Sequence, residues 1–169
     1  MKGAAPIVRL LGPTELDVVA ALHALCFEEP WDRKSLHGLM TAPGGFGCLM
    51  FDAADEPPGG FVLGRIAATE CEILSIGVVP ATRRRGWGAG LVRGLISEAW
   101  RRGADTVVLE VADDNVAAIA LYRALGFVVV GQRLAYYRRA DGSVDAHIMR
   151  LTKANDGAAS QNVHNQSVD

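Results

Sequence analysis

The segment Arg83-Arg84-Arg85-Gly86-Trp87-Gly88-Ala89 links an apolar run to an amphipathic one and carries a strong chemical signal. Glycines at 86 and 88 let backbone N–H groups approach a ligand with no Cβ in the way. A helix starting there adds about half a positive charge from its dipole. Three arginines at its mouth supply more positive charge, so the segment reads as an anion cradle suited to a pyrophosphate. A capped helix start with solvated arginines is the plainer alternative. A second feature is Glu110, the lone carboxylate in Thr106-Val107-Val108-Leu109-Glu110-Val111. Strand alternation puts Thr106, Val108 and Glu110 on one face and Val107, Leu109 and Val111 on the other. A carboxylate in such a run is costly unless it is paired or takes up a proton, which suits a general base. Solvation at an open strand end is the competing explanation. The third feature is Asn115 and Tyr122, seven residues apart and therefore on one helix face, about 10 Å apart along the axis. Asn115 also suits an N-cap, and Tyr122 also suits a core position.

Other glycine-rich loops fit less well. A P-loop needs Gly-Lys-Ser/Thr, and the chain has none. Gly88, Gly90 and Gly94 are loosely spaced like a dinucleotide fingerprint, with Glu110 beyond them, but such glycines follow directly on a strand. Here Pro80 and the arginines intervene between Val79 and Gly86. His23, His37, His147 and His164 show no metal-ligand spacing, and Cys26, Cys48 and Cys71 form no C-x-x-C pair. No metal and no disulfide framework are expected.

The elements that must hold these residues follow from period and punctuation. Ile7 to Leu11 reads as a strand ended by Gly12-Pro13, and Thr14 is the expected cap of a helix through Phe27. Asp32 caps a second helix to about Met40. Phe46 to Phe51 and Phe61 to Thr69 form a hairpin around Asp55-Glu56-Pro57-Pro58-Gly59-Gly60. Glu72 to Val79 is an apolar strand. In the helix from Gly88 to Arg102, Leu91, Val92, Leu95, Ile96 and Ala99 hold one face, while Arg93, Ser97, Glu98 and Arg101 take the other. Thr106 to Ala112 is a strand, Asn115 to Leu125 a helix, and Phe127 onward a strand toward Tyr136. Asp141-Gly142 turns the chain into a last strand, Val144 to Leu151. One β-α-β unit flanked by hairpins predicts an α/β (α+β) fold with a mixed, mostly antiparallel sheet of about six or seven strands and helices on both faces.

Half of the 169 residues are apolar, enough for one core and too few for two sizeable domains. Residues 1–152 are read as one domain and 153–169, polar and nearly devoid of apolar side chains, as a disordered tail. The net charge of −2 provides no global attraction to nucleic acid or to an anionic membrane. With no signal-peptide pattern and no run of about 20 apolar residues, a cytoplasmic protein, monomeric or weakly dimeric, is expected.

Taken together, Arg-x-x-Gly-x-Gly after a strand and Asn115 through Leu121-Tyr122-x-x-x-Gly126-Phe127 resemble motifs A and B of the GNAT superfamily of N-acetyltransferases. Leu109-Glu110-Val111, Tyr136-Tyr137 and the Asp141-Gly142 to Met149 segment are similar to the bacterial ribosomal-protein-alanine N-acetyltransferases. Resemblance is strong over residues 72–151. Over 6–71 it rests mainly on Pro30-Trp31. It implies the GNAT fold and acetyl-CoA as the acetyl donor. Ile76, Gly77 and Val78 would take the pantetheine arm, and Arg83, Arg84, Arg85, Gly86, Trp87, Gly88 and Ala89 the pyrophosphate. Asn115 and Tyr122 would also contact the cofactor. Glu110 would deprotonate the amine, Tyr122 would protonate the departing thiolate, and Trp31, Tyr136 and Tyr137 would hold the acceptor. The implied acceptor is the N-terminal α-amine of a ribosomal protein beginning with Ala. A small-molecule amine or a lysine side chain is the alternative, and a non-catalytic acyl-CoA-binding module a more distant one. Ala135 departs from the Asn that those enzymes tend to carry before the tyrosine pair.

Overall fold

A computed structural model of the chain describes residues 5–140 and 142–154. In chain order the elements are β1 (Ile7–Leu10), α1 (Leu16–Cys26), α2 (Arg33–Thr41), β2 (Gly45–Phe51), β3 (Gly60–Ala67), β4 (Glu70–Val78), α3 (Trp87–Arg101), β5 (Thr106–Ala112), α4 (Val116–Ala124), β6 (Val128–Arg139) and β7 (Gly142–Thr152). One seven-stranded sheet runs β1-β2-β3-β4-β5-β7-β6. Among the described residues only β4 and β5 are parallel neighbours, joined by the α3 crossover, and every other pair is antiparallel. The expected mixed sheet is therefore the observed one.

Helices cover both faces. On one, Leu91, Val92, Leu95 and Ala99 of α3 and Ile119 and Tyr122 of α4 pack on Cys48, Val62, Val107 and Leu109. On the other, Val19 and Leu22 of α1 and Leu36 of α2 pack on Leu49, Phe61 and Leu63. Two details depart from expectation. Thr14 does not cap α1: the cap position is Glu15, with no side-chain cap bond. The Glu15 carboxylate instead turns back to accept from the Gly12 N–H at 2.7 Å and from Arg9. Glu98, placed on the polar face of α3 by periodicity, is 8% exposed. Arg101 and Arg102 grip its carboxylate at 2.5–2.8 Å, and the Arg101 hydrogen bond leads in holding its pKa down at about 2. Asp141 and the segment read as a disordered tail, apart from Lys153 and Ala154, lie outside the described residues.

The sheet feature that creates a site is a splay. β4 and β5 pair only at Glu70–Thr106, Cys71–Val107 and Glu72–Val108. Beyond that point each keeps its outer neighbour: β4 pairs β3 as far as Val78, and β5 pairs β7 as far as Ala112. The two inner edges separate, leaving strand backbone facing an opening in the middle of the sheet.

Candidate active site at the strand splay

Two cavities meet in this opening. The first, about 480 Å³, is lined by Ile76, Gly77 and Val78 of β4, by Arg83, Arg84, Gly86, Trp87, Gly88 and Ala89 at the start of α3, and by Ala117, Ala118 and Leu121 of α4. The second, about 500 Å³, holds Glu110, Asn115, Tyr122, Tyr137, Trp31, His23 and Ser75. Phe27, Ile76 and Ala118 line both, so the cavities share a wall across the sheet.

The first cavity ends in an anion cradle. Gly86 is the N-cap of α3 with φ +77°, a left-handed conformation that glycine adopts without strain. Intrahelical bonding begins with the Gly90 N–H donating to Gly86 O at 3.1 Å. The N–H groups of Trp87, Gly88 and Ala89 are thus the unsatisfied donors of the first turn, and all three residues line the cavity. Arg84 beside them also has a positive φ, +65°. A phosphate group fits such an end through both the donors and the dipole. The apolar stretch from Ile76 to Val78, with its unpaired inner edge, fits an extended amide-bearing arm. The chain's residues therefore suit CoA.

The arginine triplet divides its work. Arg83 lines the cavity, but its Nε donates to the Val78 carbonyl at 2.9 Å, tying the loop to the strand end. Arg85 corrects the sequence expectation. It is absent from the cavity lining because Asp52 holds its guanidinium bidentately at 2.7 Å on both arms, and the group also lies over Trp87, 5.5 Å from the ring centroid.

In the second cavity Glu110 projects from β5 and accepts from Arg133 at 2.7 Å. That ion pair gives the carboxylate a partner at a partly exposed position on the strand. Tyr122, 6% exposed, meets Phe127 edge-on at 5.7 Å. Burial, with a smaller contribution from Tyr137, pushes its hydroxyl up to about 12. Among the described residues that hydroxyl makes no hydrogen bond to protein. Asn115 caps α4, its side chain accepting from the Ala118 N–H at 3.2 Å. It lines the second cavity rather than the first, as does Tyr122, so neither of these two expected cofactor contacts lies in the cavity that holds the cradle. Tyr137 lines the cavity and its hydroxyl donates to the Glu110 carbonyl at 3.4 Å. Tyr136 does not line it. It is 47% exposed, packed edge-on against Tyr137 at 5.0 Å and under Arg133 at 4.9 Å, so it supports the wall instead. Ala135, at the register shift between Arg133 and Tyr137, has φ +52°. This is a conformation that Asn tolerates better than Ala, which accounts for the residue type expected there.

Sequence reasoning missed His23, Ser75, Phe27 and Arg133. His23 lies on α1 and Phe27, four residues on, is its C-cap, a spacing that could have flagged a shared face. No local pattern signals Ser75 or Arg133.

Known proteins share this architecture. The model of the "Acetyltransferase (GNAT) family" matches residues 16–127. The chain is 34% identical to the "[Ribosomal protein bS18]-alanine N-acetyltransferase" of Salmonella typhimurium, over 85% of this chain and 95% of that one. It is 49% identical to the "N-alpha-acetyltransferase RimI" of Mycobacterium tuberculosis, over about half (52%) of each chain. The crystal structure of the ribosomal-protein-S18-alanine N-acetyltransferase from Escherichia coli superposes with a TM-score of 0.81 at 29% identity, over 90% of this chain and 98% of that one. With its splayed parallel pair, its open helix start and this breadth of match, the chain belongs to the GNAT family and is an N-acetyltransferase.

Proposed function

We propose that the protein acetylates the N-terminal α-amine of a protein, a ribosomal protein beginning with Ala, in the bacterial cytoplasm. The observation that carries this reading is the junction of the two cavities at Phe27, Ile76 and Ala118. It sets a carboxylate, a buried phenol and an aromatic wall on the far side of the opening from the anion cradle. Relatives whose names state this acceptor support it.

Acetyl-CoA supplies an activated acetyl thioester when bound. Gly86, Trp87, Gly88 and Ala89 would hold its pyrophosphate through backbone N–H groups, and Ile76 to Val78 would seat the arm. Glu110 takes the proton from the incoming ammonium, so that a lone pair is available for attack. Tyr122 stays protonated through the neutral range and donates toward the departing sulphur. Trp31 and Tyr137 flank the acceptor's first residue, with Tyr136 backing Tyr137.

Rate measurements on Glu110→Gln against pH test the base. The rate loss should shrink as pH rises toward and past about 7.8, the ordinary α-amine pKa, because more acceptor arrives neutral. A loss of the same size at every pH would assign Glu110 to positioning and remove the base from this scheme.

A further inference from the structure

Leu74 is the extra residue of a bulge in β4, since Leu63 of β3 faces Ser75 while the next residue, Gly64, faces Ile73. Strand side chains alternate, so an unbroken β4 would put Ser75 on the α3 face with Cys71 and Ile73. The bulge moves it to the α1 face, where its Oγ lies 3.3 Å from His23 Nε2. It also returns Ile76 and Val78 to the core under α3. His23 is 2% exposed, with the rings of Phe27, Trp31 and Phe61 at centroid distances of 4.3, 5.0 and 5.6 Å.

The hydrogen-bond directions here are forced. The backbone N–H of Trp31 can only donate, and it reaches His23 Nδ1 at 3.1 Å, so Nδ1 carries no proton. Burial lowers the imidazole pKa. The ring is therefore neutral near pH 7, with its proton on Nε2. Nε2–H donates to Ser75 Oγ, which leaves the serine's own proton as a donor. Among the described residues no protein acceptor takes it. Ser75 lines the cavity that also holds Glu110, Tyr122 and Trp31.

A fixed donor does not suit the reacting nitrogen, whose lone pair must remain available for attack. It suits an oxygen close to that nitrogen. An N-terminal residue offers one, the carbonyl of its first peptide bond, whereas a lysine ε-amine or an alkylamine has only methylenes there. We propose that Ser75, oriented by His23, donates to the first carbonyl of the acceptor and thereby selects α-aminoacyl amines over alkylamines. His23 is a positioning residue, and the inference rests on the N-terminal reading above.

The test compares two acceptors: an Ala-led peptide and the same peptide with its first amide replaced by an (E)-alkene, which keeps the amine and the chain shape but lacks the carbonyl. Differences in amine basicity cancel when the ratio of kcat/KM values is compared between variants. In Ser75→Ala, kcat/KM for the amide peptide should fall roughly two- to tenfold, the worth of one hydrogen bond, with the alkene peptide unchanged. Ser75→Thr, which keeps a hydroxyl, should retain the parent ratio. His23→Phe, which keeps the ring stack and removes both hydrogen bonds, should lose it. Equal losses for the two acceptors in Ser75→Ala, or no loss for either, would overturn the role of Ser75 while leaving the N-terminal reading intact. Failure of the parent enzyme to acetylate the Ala-led peptide would instead remove that reading, and this inference with it.

Discussion

Tyr122→Phe removes one oxygen from a 6% exposed side chain and leaves the ring packed against Phe127. The hydroxyl makes no hydrogen bond among the described residues, so its loss should cost under about 1 kcal/mol of stability. Its effect on turnover is larger. A hydroxyl pushed up to about 12 by burial is a donor across the neutral range. Complete transfer to a thiolate of ordinary basicity, about 8.5, is uphill by roughly 5 kcal/mol. In the proposed role Tyr122 would therefore act first as a hydrogen-bond donor to the sulphur, with transfer completed as charge builds there. A hydrogen bond to a charged group is worth about 1.5–3 kcal/mol, which is about 10- to 150-fold in kcat. Steady-state thiol release should show that drop, while calorimetric titration shows acetyl-CoA affinity within about twofold of the parent, since the bond forms only as charge develops. Unchanged turnover in a folded variant would return Tyr122 to the role of a core residue. Loss of affinity matching the loss of rate would make it a ground-state contact.

At the cradle, a Cβ on Gly88 would meet only the flexible end of Leu121, at 2.9 Å. Gly88→Ala should bind acetyl-CoA within a few-fold of the parent, whereas Gly88→Asp, with its charge facing the phosphates, should lose at least about tenfold, or 1.4 kcal/mol. Calorimetry showing equal affinities would remove the phosphate assignment. His23 links pH to stability. Burial lowers its folded-state pKa below the unfolded value, which is about 6.5. Its contribution is complete above that pH and is lost as pH falls through the folded-state value. Urea midpoints should decline more steeply between pH 7 and 5 for the parent than for His23→Phe, and parallel declines would contradict the buried neutral imidazole.

Local periodicity made much of this site legible. Alternation in Thr106 to Val111 put Glu110 on its observed face, because a regular strand has no other option. Asp32 and Asn115 were legible as caps because their side chains serve the helix that follows. The open start of α3 was legible because glycines, arginines and a helix start are contiguous in sequence. What escaped depends on contacts distant along the chain. Asp52 takes Arg85 out of the cavity from 33 residues away, and Arg133 reaches Glu110 across 23. The β4 bulge is invisible in an apolar run, yet it decides which face Ser75 occupies. Glu98 breaks the polar stripe because two following arginines compensate its burial, a compensation that composition alone does not reveal.

Near pH 7 the neutral fraction of an α-amine exceeds that of a lysine ε-amine by a few hundredfold, from reference pKa values of about 7.8 and 10.4, and the proposed use of a single carboxylate, Glu110, as base favours the amine that needs less help. The decisive measurement is a competition for the parent enzyme between a peptide beginning with Ala and the same sequence with a blocked N-terminus and an internal lysine, with mass spectrometry locating the acetyl group. The higher kcat/KM is expected for the Ala-led peptide, modified at its α-amine. A higher kcat/KM for the blocked peptide, or for a free small amine included in the same mixture, would contradict the N-terminal reading.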